Sequence, residues 1–254
     1  MSRVFWCVGE KSNQPLWMEA FQVSVYSLEE LCYLIRKKTN LVDLTLMRQD
    51  VLDFMEHALK LNVSQLRECV ANGCSLSEYC RKLLDVGACM VSEEEWKKIR
   101  DILAENEEMT PFESRLRRAD DRFAQKQYFA AFQAYGALAT QTGDREQKAL
   151  LYGRMAKAAF YLFQYRVASA FFEKSDSLSN DPDMKIGHFL CERYLMSRQE
   201  YIAYTTKSPE DYALSLRVEQ IYEEAQKKAK AQADAALILP GEHSLIQEFR
   251  EMME

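Results

Sequence analysis

The chain has 254 residues, 48% of them hydrophobic, with only eight Gly and five Pro, which excludes a fibrous or low-complexity disordered protein. The net charge is −6, and residues 1–108 hold 13 basic and 18 acidic side chains, so neither part carries the basic excess typical of nucleic-acid binding. No window approaches 18 uninterrupted apolar residues, so we expect no bilayer crossing and no membrane partner.

The start of the chain and the cysteines predict a cytoplasmic protein. The apolar run Val4–Val8 is shorter than the core of a secretory signal, so we expect no signal peptide. Seven cysteines form an odd set without paired spacing, which suits reduced thiols better than a disulfide framework.

The first hundred residues carry the signals of a small β ribbon followed by helices. Val4–Val8 is β-branched and aromatic, and Gln22–Tyr26 alternates polar with apolar residues, so we expect the two to pair as antiparallel strands against the helices. Caps and apolar stripes predict five helices: one capped at Ser27 that buries Leu28, Leu31, Cys32 and Ile35; one with the stripe Val51, Phe54, Met55, Ala58 and Leu59; one over Ser64 to Ala71; one capped at Ser75 that buries Tyr79, Leu83 and Leu84; and one capped at Ser92 that buries Trp96, Ile99 and Leu103.

A junction follows these helices. The acidic run Glu105–Glu108 precedes Thr110 and Pro111, which suit the cap and the first position of a new helix with Glu113 completing a capping box. We therefore predict two domains, residues 1–108 and 109–254. The new helix is expected to turn one apolar stripe to the core: Phe112, Leu116, Ala119 and Phe123.

A repeated helix pair organises the second domain. Its register is the set Ala119, Tyr128, Ala131, Tyr135 and Leu138, which returns 37 residues later as Ala156, Tyr165, Ala168, Phe172 and Ser175. Small residues at fixed positions let two helices approach closely, and the large ones fill the gaps beside them.

This spacing resembles the tetratricopeptide repeat, a helix-turn-helix unit of about 34 residues. The resemblance covers about residues 111–205 and includes a third pair, in which Glu192 and Tyr204 replace the small residues. After Pro209 we expect a long capping helix with Leu214, Val218, Ile221 and Ala225 inward, and a short helix in the tail to Glu254. The predicted fold class is mainly α: a helical domain with a small β ribbon, then a tetratricopeptide-like α-solenoid.

The resemblance implies a partner-binding groove, because the first helix of each pair lines the concave face of such arrays. It carries this role to seven residues: Asp120, Phe123, Lys157, Phe160, Tyr161, Arg193 and Met196. Asp120 stands where the carboxylate clamp of the best-known arrays has Asn, so a chaperone tail is not the expected ligand. The predicted function is a non-catalytic adaptor for a protein or peptide partner, and a homo-oligomer is left open.

Two alternatives of other classes remain. No two of the three histidines are close in sequence, the Gly residues do not cluster, and no Cys-x-x-Cys pair occurs, so the sequence predicts no catalytic residue, cofactor or metal site. An enzyme with its site in residues 1–105 would need a pocket with convergent polar groups. A DNA-binding regulator would use the helix-turn-helix outline over Gln65–Leu84 and a basic stripe of Lys60, Arg67, Arg81 and Lys82.

Overall fold

The computed structural model describes residues 9–206 and 208–238. The chain divides into two compact units, Met1–Gln127 and Tyr128–Glu254. The described residues are mainly helical with one small antiparallel sheet, which confirms the predicted class. The solenoid arrangement and the domain boundary at residue 108 stay predictions; the helix that follows that boundary falls within the first unit.

The first unit contains a two-stranded sheet and six α-helices in its described part. The strands are β1 (Leu16–Met18) and β2 (Val23–Val25). The helices are α1 (Leu28–Lys37), α2 (Gln49–Asp53), α3 (Ser64–Ala71), α4 (Leu76–Val86), α5 (Glu93–Glu108) and α6 (Pro111–Ala124), with 3-10 turns at Thr39–Leu41 and Leu44–Met47 and a π turn, Phe54–Ala58, that continues α2.

The sheet corrects the predicted ribbon. The strand that pairs with β2 is β1, whereas the predicted strand Val4–Val8 lies outside the described residues. Leu16 is opposite Val25 and Met18 is opposite Val23, and Met18 and Val25 are buried against the helices. Three residues are too short a run for alternation to identify a strand from sequence.

The helices of the first unit follow their predicted caps. The hydroxyls of Ser27, Ser75 and Ser92 each accept a hydrogen bond from the backbone N–H three residues later, which satisfies a donor that the helix leaves unpaired. The predicted faces enter one core, except that Ala58 and Trp96 are only partly buried. The guanidinium of Arg81 lies 5.1 Å from the Trp96 ring centre and covers its outer face.

One disulfide contradicts the expectation of reduced thiols. Cys69 and Cys74 are joined, with their Cα atoms 5.2 Å apart. The end of α3 explains the pairing: Gly73 has φ of 67°, and Cys74 N–H donates to the Cys69 carbonyl at 3.0 Å. This is a Schellman helix end, in which the residues at these two positions normally make a hydrophobic contact.

Polar contacts hold α6 more than its apolar stripe does. Of the four stripe residues only Ala119 is buried, and the three aromatic or leucine side chains are partly exposed, which corrects the prediction. Arg118 pairs with Asp43, Arg117 donates to the buried side chain of Asn106, and Lys38 pairs with Asp121 at 2.9 Å. The predicted capping box of Thr110 is present.

The second unit consists of six α-helices in its described part. The helices are α7 (Tyr128–Gln141), α8 (Arg145–Tyr161), α9 (Tyr165–Ser179), α10 (Pro182–Leu195), α11 (Arg198–Thr205) and α12 (Pro209–Ile238). Packing joins neighbours in the chain: α8 lies against α7 and α9, and α9 lies against α10. The predicted break at Thr142 to Asp144 is confirmed, with Asp144 as the cap of α8.

Small residues occupy the helix crossings of this unit. Ala131, Ala156 and Ala168 have no exposed surface, as their predicted role requires. Two glycines also lie at close contacts, where a side chain would not fit. A Cβ at Gly153 would lie 2.9 Å from Met184 Sδ, and a Cβ at Gly187 would overlap the ring of Phe172.

The helix α12 packs along only its first part. Val218 is fully buried beside Phe189 and Tyr201, but Ile221 and Ala225, both predicted to face inward, are exposed. Around this turn, the contacts of α12 with α10 come from Val218, Glu219 and Tyr222, so Ile221 is exposed although α10 still reaches this turn. The predicted tail helix lies outside the described residues.

A candidate aromatic binding surface

Two helix ends with the same geometry stand 37 residues apart. Phe163 has φ of 59° and Lys126 has φ of 63°. Both values lie in the left-handed region, which is unfavourable for residues other than Gly. The backbone hydrogen bonds at the two ends match. After α8, Phe163 N–H donates to the Phe160 carbonyl and Gln164 N–H to the Ala159 carbonyl. After α6, Lys126 N–H donates to the Phe123 carbonyl and Gln127 N–H to the Arg122 carbonyl. Helices α6 and α8 therefore end in the same Schellman turn.

Beside the Phe163 turn, aromatic rings form a continuous series within the second unit. Tyr128 stacks on Tyr161 with ring centres 4.8 Å apart, and Tyr165 stacks on Tyr194 at 4.6 Å. Phe160 joins the two stacks through edge contacts to Tyr161, Tyr165 and Tyr194. We call this series the aromatic ladder; its members are Tyr128, Phe160, Tyr161, Phe163, Tyr165, Tyr194 and Tyr222.

The ladder is substantially exposed. Tyr161 exposes 52% of its surface, Phe163 77% and Tyr194 39%. Burial raises the pKa of the Tyr165 and Tyr194 hydroxyls above the ordinary value, so both rings stay neutral at physiological pH. A contiguous group of exposed rings held by mutual stacking is a typical feature of a binding surface, because most isolated exposed apolar residues lack such neighbours.

The α8 and α9 members of the ladder lie in a basic stretch of the sequence. Residues 147–172 contain four basic side chains and no acidic one. Lys157 stands four residues before Tyr161 on the same side of α8, and Arg166 follows Tyr165. Both are exposed, and neither forms an ion pair with any residue that the structure describes. These two cations are available to a ligand.

The predicted groove residues fall into three groups. Lys157, Phe160 and Tyr161 lie on or beside the ladder. Asp120 and Phe123 belong to α6 in the first unit.

The last two predicted groove residues are engaged by their own unit. Arg193 Nε donates to Glu219 Oε1 at 2.5 Å, and its guanidinium lies 4.3 Å from the Tyr222 ring centre. Met196 packs against the core beside Phe189. Sequence reasoning missed Phe163, Tyr165, Tyr194 and Tyr222. The aromatic residues that cluster around the 37-residue register were the available signal for the first two.

A polar network between α9, α10 and α11 resembles a catalytic triad, but its serine hydroxyl donates to the carboxylate and not to the histidine. Ser169 Oγ lies 2.8 Å from His188 Nδ1, and it donates to Glu192 Oε1 at 2.5 Å. The serine proton is thus directed at a carboxylate, whereas a nucleophilic serine donates to its histidine. His188 Nε2 contacts the Tyr204 hydroxyl at 3.0 Å, so the network joins three helices.

The residues of the DNA-binding alternative are engaged by carboxylates. Arg67 pairs with Asp53 and Glu56, Arg81 pairs with Asp85 and Glu93, Lys82 with Glu78, and Lys60 with Glu10. A basic stripe free for phosphates is therefore not present among these four.

One group of possible metal ligands occurs among the described residues, namely Asp53, Glu56 and His57. The guanidinium of Arg67 donates to both carboxylates. It supplies the positive charge that a metal ion would otherwise bring, so the group is explained by this ion pair.

The first unit has an open cleft of about 380 Å³ between α5 and α6. Four carboxylates line it, from Glu105, Glu108, Glu113 and Asp120, together with Arg117. Hydrogen bonds that the N–H and hydroxyl of Thr110 donate to Glu113 lower the pKa of Glu113. Arg117 donates to Asn106. The cleft therefore has a polar lining, and the enzyme alternative stays a prediction.

No protein-family model, curated protein or solved structure matches the chain. Within residues 9–206 and 208–238, none of the helices combines the length and apolar composition that a bilayer crossing needs.

Proposed function

We propose that the chain is a non-catalytic adaptor that binds an extended segment of a partner protein through the aromatic ladder. The observation that carries this proposal is the continuous series of contacting rings around Phe163, three of which are exposed and the rest partly exposed. Aromatic side chains supply a large part of the binding energy at protein interfaces. The rings of the ladder are already ordered by one another, so binding loses little side-chain freedom.

We further propose that α7 to α11 follow a tetratricopeptide-like arrangement of helix pairs. The fully buried alanines Ala131 and Ala168, which stand 37 residues apart on α7 and α9, support a common unit. Four free cysteines in the described residues favour a cytoplasmic setting, whereas the Cys69–Cys74 disulfide does not.

The charge pattern defines the partner chemistry. Exposed Lys157 and Arg166 flank the ladder, in a stretch without any carboxylate. A segment that places one or two large apolar side chains on the rings, with Asp or Glu beside them, complements both features. A basic segment would meet like charges, so the geometry favours an acidic partner.

A peptide library tests this proposal directly. The full chain is used to select binders from displayed random peptides, and selected peptides are then titrated by calorimetry. We expect enriched sequences that combine aromatic or leucine residues with Asp or Glu. Phe163→Ala and Tyr161→Ala should each weaken binding by about 1–3 kcal/mol.

Phe129→Ala provides the matched control, because Phe129 is also exposed, at 59%, and is not a member of the ladder. It should bind selected peptides like the parent. Peptides that bind equally to Phe163→Ala and to Phe129→Ala would refute the ladder as the site. If the parent sediments as a dimer and Phe163→Ala as a monomer, the ladder is a contact between two copies and the adaptor proposal fails.

A further inference from the structure

Two cysteines and an arginine meet in the first unit. Cys32 and Arg36 stand four residues apart on α1, so both project from the same side of that helix. Cys89, which follows α4, accepts a hydrogen bond at its sulfur from Arg36 Nη1 at 3.6 Å. Burial raises the pKa of the Cys32 thiol, and the nearby Cys89 sulfur raises that pKa further. The two sulfurs are therefore neighbours although 57 residues separate them in the chain.

The surrounding structure holds this arrangement in place. Glu95 binds the Arg36 guanidinium through two hydrogen bonds, at 2.9 Å to Nε and 3.0 Å to Nη2, so the remaining nitrogen faces Cys89. The turn after α4 lies so close to α1 that a Cβ at Gly87 would come within 2.6 Å of Cys32 Sγ. Glycine at that position lets the turn carry Cys89 onto Cys32.

The two thiols differ in access. Cys89 is partly exposed, whereas Cys32 is buried with 1% of its surface accessible. Burial raises the pKa of the Cys32 thiol to about 12, so Cys32 is protonated and unreactive toward a reagent in solution. Cationic side chains beside an accessible sulfur are typical of reactive cysteines, and the Arg36 guanidinium contacts the Cys89 sulfur. Cys89 is thus the thiol that an oxidant reaches first.

We propose that Cys89 is a site of oxidation by peroxide and that it then forms a disulfide with Cys32. The Cys89 thiolate attacks one oxygen of hydrogen peroxide, the O–O bond breaks, and the products are a sulfenic acid at Cys89 and, after protonation, one water. The Cys32 thiol then attacks the Cys89 sulfur, the S–O bond breaks, and the Cys32 proton leaves in a second water. Two thiols are oxidised and one peroxide is reduced.

Tryptic peptides make the product unambiguous. Cys32 is the one cysteine of the fragment 12–36, and Cys89 is the one cysteine of the fragment 83–97. The full chain is treated with hydrogen peroxide, its remaining thiols are alkylated, and the digest is analysed by mass spectrometry without reduction. We expect a peptide that joins the two fragments and is two hydrogens lighter than their sum.

Three variants separate the steps. In Cys32→Ser, the sulfenic acid has no thiol to condense with, so dimedone should label Cys89. In folded Arg36→Gln, Cys89 should lose its thiol roughly tenfold more slowly than in the folded parent, while the unfolded variant and the unfolded parent should react at equal rates. Cys191→Ser is the matched control, since Cys191 is a buried thiol of the second unit, and it should leave the joined peptide unchanged.

The proposal fails if Cys89 stays fully alkylatable under conditions that oxidise free glutathione. It also fails if Cys89 joins a cysteine other than Cys32, or if Arg36→Gln and the parent react at equal rates. Melting curves recorded for each variant confirm that the compared proteins are folded.

Discussion

The ring of Phe172 on α9 lies against the backbone of Gly187 on α10, so that a Cβ at Gly187 would come within 2.6 Å of Phe172 Cε1. A glycine inside a helix costs about 1 kcal/mol relative to alanine. Gly187→Ala should nevertheless destabilise the protein by about 1–2 kcal/mol, because the ring is surrounded and overpacking outweighs the helix preference. Urea unfolding measures the change. Gly143→Ala is the control, since its added methyl meets nothing within 4 Å.

A second pair of variants tests the repeat register on one helix. Ala168 is fully buried and Ala170 is exposed, both on α9. Ala168→Leu should lower the free energy of unfolding by about 1–3 kcal/mol through overpacking, and Ala170→Leu should change it by less than about 0.5 kcal/mol. Equal urea midpoints for the two variants would show that Ala168 is not at a close helix crossing.

Replacing Phe163 with glycine should raise stability and weaken binding. Its left-handed backbone favours glycine, and the exposed side chain has few contacts to lose, so Phe163→Gly should raise the free energy of unfolding by about 0.5–1 kcal/mol. The same variant should weaken peptide binding. Lys126→Gly relieves the same backbone conformation outside the ladder, so it should stabilise the protein and leave binding unchanged. A Phe163→Gly protein that binds like the parent would remove Phe163 from the site.

Lys157→Glu should weaken binding of an acidic peptide by about twofold to tenfold at low ionic strength, because exposed ion pairs contribute about 0.2–1 kcal/mol each. The effect should shrink as salt is added, since exposed charges are screened over about 8 Å at physiological ionic strength. Calorimetric titration at two salt concentrations measures both. Lys227→Glu changes the same charge on the exposed part of α12 and should have no effect on affinity.

Asp43 should make stability depend on acid pH. Burial favours a raised pKa for this carboxyl, but hydrogen bonds from Thr45 and the adjacent Arg118 guanidinium outweigh it and lower the pKa below 3.8. A lowered pKa contributes stability that is complete above the unfolded-state value of about 3.9 and is lost as pH falls through the folded-state value. Asp43→Asn should therefore cost about 1–3 kcal/mol at pH 7 and less near pH 3.

Urea unfolding at the two pH values measures this difference. Asp50→Asn is the control, because Asp50 pairs with Arg48 at the surface, where both side chains are about half exposed. It should stay within about 0.5 kcal/mol of the parent at both pH values. A constant deficit for Asp43→Asn from pH 7 to pH 3 would contradict the assigned pKa direction.

Helix starts could be predicted because their causes are local. A hydroxyl at Ser75 or Thr110 bonds a backbone N–H only three residues away, so the pattern is complete within one short window. The stripe of α6 was predicted less well. The contacts of Arg118 and Lys38 come from partners 75 and 83 residues away, which no local period reports.

The disulfide and the ladder needed knowledge of specific geometry. Cys69 and Cys74 flank a glycine at a helix end, and that spacing is enough to place their sulfurs together once the end is identified as a Schellman turn. The ladder joins Tyr161 to Tyr194 through packing of α8 on α9 and α9 on α10. Predicting the Tyr194 contact therefore required the position of α10, which belongs to the predicted third helix pair, where the small residues of the register are replaced.

The packing of α7 to α10 on their chain neighbours has a kinetic consequence. Most contacts among these helices close short loops, so the second unit has the low contact order that is typical of fast-folding helical proteins. Folding can begin at any adjacent pair and spread outward, and unfolding can begin at either end. Amide hydrogen exchange should accordingly be slowest in α8 and α9, where each helix has a neighbour on both sides, and fastest in the part of α12 that extends beyond α10.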